Sequence, residues 1–147
     1  MQTRSSALVI AGLLAGGLVA GCAAGGSTAD AGKVAQTVTR ELGDLAAGNG
    51  AAACALATPT GQTELASASP NHKCAQAIEL VSQNLTPAVR LGLKTAVVKK
   101  VTINGGSATV SNADITSTQG SLSGFLGPGS APTVLTKQPD GSWEIAG

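Results

Sequence analysis

Aromatic side chains are almost missing from this chain: Phe125 and Trp143 are the only two in 147 residues. A core must therefore come from Val, Leu, Ile and Ala, with helix faces small enough to pack closely. An excess of charge is missing too. Nine Lys and Arg stand against eight Asp and Glu, and Lys99-Lys100 is the only basic doublet. Without clustered cations to displace counterions, nucleic acid is excluded as a partner. His72 is the only histidine; with two cysteines beside it, it falls short of the four ligands of a structural zinc site. The 20 glycines lie in turns and connections, never in the strand–glycine–helix setting of a nucleotide loop, so no cofactor is expected.

The N-terminus is where the sequence is most specific. Arg4 gives a positive start, and Ala7 to Ala20 is an uncharged apolar run of 14 residues. As a helix it would reach about 21 Å, short of the roughly 20 residues that span a bilayer and suited to a signal segment. It ends in Val19-Ala20-Gly21-Cys22, which resembles the bacterial lipobox. That resemblance implies diacylglyceryl transfer to the Cys22 thiol, cleavage between Gly21 and Cys22, then N-acylation. Two or three acyl chains, at about 0.8 kcal/mol per buried CH₂, hold a protein on a membrane where one does not. The expected organisation is a signal peptide over 1–21, a lipidated flexible tether over 22–32, and one domain over 33–147.

An exported chain meets an oxidising compartment, so the two remaining cysteines, Cys54 and Cys74, read as a disulfide. Closing a ring of that size stabilises by about 3 kcal/mol in the chain-entropy account. A cysteine so engaged is no nucleophile for His72.

Val34, Val38, Leu42 and Leu45 form one helical stripe, with Lys33, Arg40, Glu41 and Asp44 mostly off it. Asp30 is the expected N-cap and Gly48-Asn49-Gly50 the stop. A short Ala-rich helix follows over 51–57. Thr58-Pro59 opens another towards Leu65, and 67–73 is loop. Cys74, Ile78, Val81 and Leu85 give a second stripe, which Thr86-Pro87 resets. Residues 96–103 and 108–115 read as strands joined at Asn104-Gly105-Gly106, with Val97, Val101 and Ile103 facing inward. Residues 118–132 form a long connection around Phe125. A second hairpin runs over 133–138 and 142–146 about Pro139-Asp140-Gly141, with Trp143 and Ile145 on one face. Helices first and paired strands after imply an α+β fold.

Ala53-Cys54-Ala55-Leu56, Thr58-Pro59, Cys74-Ala75-Gln76-Ala77 and the closing Asp140-Gly141-Ser142-Trp143 together resemble small actinobacterial lipoproteins with a nuclear transport factor 2-like, or cystatin-like cone, domain. The resemblance spans roughly 31–147 and implies helices packed on a curved, cone-like antiparallel sheet. The Gly-rich 118–132 stretch departs from that pattern. The resemblance carries no reaction, since one fold hosts many functions.

General acid–base chemistry needs a positioned pair, and only isolated candidates stand near the expected sheet. Asp114, Trp143 and Phe125 are the residues that could line a pocket, and none is assigned a catalytic role. The expectation is a non-catalytic, extracytoplasmic envelope domain held at the cell membrane through the lipid on Cys22. It would bind an envelope protein or a small ligand, without metal or cofactor; the alternative is a small pocket enzyme of the cone fold.

Overall fold

The computed structural model describes residues 27–123 and 131–146. The expectations for the signal segment, the Gly21–Cys22 cleavage point, the lipid on Cys22 and Phe125 lie outside them. Helix α1 (Thr28–Ala47) starts where Ser27, extended at φ −72° and ψ 154°, accepts the Asp30 amide on its side chain at 3.1 Å. The cap is therefore Ser27 rather than Asp30, and α1 takes in residues 28–32, which composition had assigned to the tether. Asp30 sits in the first turn, where a carboxylate complements the helix dipole. Gly48, at φ 76°, closes the other end in the left-handed conformation that glycine adopts without a Cβ penalty.

Among the described residues four shorter helices follow: α2 (Gly50–Cys54), α3 (Pro59–Ala66), α4 (Cys74–Asn84) and α5 (Pro87–Lys94). Thr58 and Thr86 cap α3 and α5, each just before a proline in the first turn. Cys54 and Cys74 form the expected disulfide, with Cα atoms 6.0 Å apart, joining the end of α2 to the start of α4. Gly50 serves this junction, because a Cβ there would run into the Ala75 carbonyl of α4. Ser69 organises the intervening loop: buried, it accepts the Lys73 amide at 2.8 Å and donates to the carbonyls of Ala66 and Lys73.

The strands form two antiparallel sheets. One holds β2 (Thr102–Asn104), β3 (Ser107–Val110), β6 (Thr133–Lys137) and β7 (Trp143–Ile145) in that order. The other holds β1 (Val97–Val98), β4 (Ile115–Ser117) and β5 (Gly120–Ser121) in the order β1-β4-β5. In the larger sheet Ile103 faces Ala108, Ala108 faces Leu135, and Leu135 faces Ile145. All four are buried, and they form one row of core side chains across the sheet. The row continues past β7 to Ala57: the Leu56 carbonyl accepts from the Ile145 amide and the Ile145 carbonyl from the Thr58 amide, both at 2.8 Å. That edge is covered and cannot template another strand. Val34 and Val38, both fully buried, place α1 in the same core.

The expected long hairpin over 96–115 is broken into two paired pieces. Between the Val98–Ile115 and Thr102–Thr109 pairs, residues 99–101 face residues 110–114. The surplus is taken up by a 3₁₀ turn at Asn112–Asp114, where Ser111 accepts the Ala113 amide on its side chain. Short polar side chains that bond their own backbone compete with a ladder in this way. The break moves the inward face by one residue. Val98, Val101 and Ile103 meet the core while Val97 is 50% exposed, so the expected inward position of Val97 is corrected. Trp143 and Ile145 do share the buried face of β7.

Candidate functional site

Two carboxylates on α1 end up in opposite surroundings. Asp30, at its start, accepts the Trp143 indole N–H on Oδ1 at 3.3 Å and the Lys137 ammonium on Oδ2 at 2.9 Å. These bonds, Lys137 first and Trp143 second, hold its carboxyl below the usual range. The Lys137 Nζ also lies 5.9 Å from the Trp143 ring centroid, a cation–π distance. This cluster closes the β6–β7 end of the sheet against α1. Beside it is an open groove of about 450 Å³ lined by Lys33, Gln36, Thr37, Leu56, Asp140 and Trp143, among others. The Lys33 ammonium is already held by the Gly141 carbonyl at 3.0 Å, and Asp140 by the Ser142 amide and hydroxyl.

Of the three pocket residues expected from sequence, Trp143 lines this groove and Asp114 does not. Asp114 lies at the end of the 3₁₀ turn, where its carbonyl accepts the Lys99 amide at 2.7 Å. Phe125 lies outside the described residues. His72 is exposed, at φ 50°, in the loop before α4. Among the described residues no group of three or more His, Cys, Asp or Glu could hold a metal ion.

Glu41 has the other surroundings. It lies three residues after Val38 and four before Leu45, so it borders the apolar stripe of α1 and is drawn partly into the protein. A pocket of about 140 Å³ on one side is lined by Glu41, Leu45, Leu65, Ala68, Ala77, Ile78 and Val81. A second, of about 370 Å³, shares Glu41, Leu65 and Ala68 and runs on past Gly61, Glu64, Pro132, Thr133 and Ile145. Sharing Glu41, Leu65 and Ala68, they make one apolar groove between α1, α3, α4, the start of β6 and the end of β7. Among the described residues no hydrogen bond or ion pair forms on the Glu41 carboxylate. Partial burial pushes its pKa up to about 7, because desolvation penalises the charged form.

The walls of this groove are fixed from behind. The disulfide ties α4 to α2. Gly61 lets α3 come against β7, where a Cβ would stand 2.8 Å from the Ile145 carbonyl. Arg90 of α5 reaches two helix ends at once: Nη1 donates to the Ala46 carbonyl at 3.0 Å and Nη2 to the Ser82 carbonyl at 2.7 Å. Both belong to final turns, where helix dipoles favour a cation; the Ser82 carbonyl also accepts the Leu85 amide at 3.2 Å.

Glu41 is among the charged residues expected mostly off the apolar stripe of α1. The signal available was its place at the edge of the stripe, together with Val81, an apolar stripe residue of α4 that remains 48% exposed. Among the described residues, no helix is long and apolar enough to cross a membrane. No family model, curated protein or solved structure matches this chain.

Proposed function

We propose that this chain is a lipid-anchored envelope lipoprotein, held on the extracytoplasmic side of the cell membrane through Cys22, whose domain is a non-catalytic binding module. The likeness to small actinobacterial lipoproteins of cone-like fold belongs to this reading. The agreement of Arg4, the Ala7–Ala20 run and the Val19-Ala20-Gly21-Cys22 box supports the anchor. The Cys54–Cys74 disulfide fits an oxidising compartment. The observation that carries the binding reading is the apolar groove at Glu41. It is concave, walled by three helices and two strands, and its larger part is of ligand-pocket size.

A small pocket enzyme is the second reading. A carboxyl with a pKa of about 7 is suited to general acid–base work. Against it stands the lining, in which, among the described residues, no polar side chain hydrogen-bonds to Glu41 to orient it.

Anchor and binding are tested separately. Wild-type protein should incorporate a clickable fatty acid and fractionate with membranes; a Cys22→Ala protein that still labels and stays there ends the lipoprotein reading. For the domain, native mass spectrometry of protein taken from envelope membranes should reveal a small molecule that is lost from Ala68→Trp, whose indole fills the groove. Turnover of a compound that depends on the Glu41 carboxyl would establish the enzyme instead.

A further inference from the structure

Beyond the groove itself, its charge pattern selects a ligand. We propose that it binds a lipophilic amine, the alkyl or aryl part lying among Leu45, Leu65, Ile78 and Val81 and the ammonium against the Glu41 carboxylate. This rests on the reading of the domain as a binding module and gives that module a ligand class.

Among the described residues no Lys, Arg or His lines either part of the groove, while two carboxylates, Glu41 and Glu64, do. The groups facing Glu41 from the packed elements have the same bias. From α3 comes Glu64; from α4, Ala77, Ile78 and Val81; from β6 and β7, Thr133 and Ile145. On α1 itself the neighbouring charges, Arg40 and Asp44, pair with each other at 3.9 Å.

A carboxylate ligand would bring a third negative charge to a site without a cation. A neutral apolar ligand would cover Glu41 further and leave it without a partner, which is unfavourable. An ammonium supplies both the missing donor and the missing charge. The 140 Å³ pocket, apolar apart from Glu41, takes a single chain or ring.

Binding of such a cation requires the ionised carboxylate, so affinity should rise with pH through the Glu41 titration. The test is calorimetric titration of the full chain in phosphatidylcholine nanodiscs, with empty nanodiscs subtracted. The probes are hexylamine, hexanol and hexanoate. Hexylamine should bind at least ten-fold more tightly than hexanol at pH 8, and hexanoate should not saturate. Between pH 6 and pH 8 hexylamine affinity should rise about ten-fold, as a carboxyl of pKa about 7 ionises. Glu41→Gln should lower hexylamine to the level of hexanol, remove the pH dependence and leave hexanol binding intact. Ala68→Trp should abolish both. Equal binding of hexylamine and hexanol, unchanged by Glu41→Gln, would overturn the amine assignment while leaving an apolar binding site. Failure of every probe to bind would overturn the groove as a ligand site altogether.

Discussion

Asp30 and Glu41 lie on the same helix, three turns apart, and the molecule treats them in opposite ways. Asp30 stands at the helix start with an ammonium and an indole N–H on its two oxygens. Glu41 stands mid-helix, against aliphatic side chains, with neither. The first carboxyl titrates below its ordinary value and the second well above it. The difference teaches what each end of α1 is for. The Asp30 end is a closed junction in which polar groups satisfy one another and lock a helix to a hairpin. At the other end Glu41 borders the apolar groove, and its carboxyl is partly desolvated by aliphatic side chains without a hydrogen bond or ion pair among the described residues.

The contrast can be broken from the outside, beginning with what holds the Glu41 walls. Cys54→Ser should cost about 3 kcal/mol in denaturant unfolding by releasing α4 from α2, and mass mapping without reductant should find no free thiol in the wild type. Free, alkylatable Cys54 and Cys74 in exported protein would contradict the observed bond. Arg90→Leu leaves two helix-end carbonyls without their cation, and a loss of about 2 kcal/mol is expected. A shift in the unfolding midpoint within error of zero would mean that water replaces the guanidinium at no loss.

The two carboxyls themselves give opposite pH signatures. Glu41, raised from 4.5 to about 7, binds more protons folded than unfolded, so the folded state loses stability as pH climbs through that window. Glu41→Gln should therefore stabilise the protein at pH 8 by on the order of 2 kcal/mol and be close to neutral near pH 4. Melting temperatures across that range read it directly; a destabilising Glu41→Gln at pH 8 would show that the carboxylate has a partner after all. Trp143→Phe keeps a ring in the core but removes the donor to Asp30, at a cost of about 1 kcal/mol. Asp30→Asn should be mildly destabilising at neutral pH. Since the folded pKa of Asp30 is depressed, its contribution is present above 3.8 and is lost as pH falls through the folded value. The gap between Asp30→Asn and wild type should accordingly close in acid, and a gap that persists once Asp30 is protonated in the folded state would assign the loss to packing.

How much of this was legible in the residues varies with the kind of signal. The stripes of α1 and α4, the Thr58-Pro59 start of α3, and the turns at Gly105-Gly106 and Pro139-Asp140-Gly141 are local, and each produced the element expected of it. The broken strand was not legible, because Lys99-Lys100-Val101 continues a β-branched run without punctuation. The polar Ser111-Asn112-Ala113-Asp114 stretch does mark the break, yet only the pairing shows that the break also turns Val97 outward. Asp30 was misjudged by three positions for a similar reason: Ser27 and Asp30 are both good capping residues, and only the Ser27 dihedrals and its bond to the Asp30 amide decide between them.

The sequence alone determined the α+β order of elements, the pairing of Cys54 with Cys74, and an aliphatic core with Trp143 and Ile145 on one face. These follow from periodicity, from turn chemistry and from there being only two cysteines after Cys22. Tertiary structure alone decided which charges are satisfied. Asp30 meets Lys137 and Trp143 across more than a hundred residues, and Glu41 is desolvated by Leu45 of its own helix together with α3, α4 and β7. A carboxyl's pKa and partners depend on what surrounds it within a few ångströms, and no spacing along the chain specifies that.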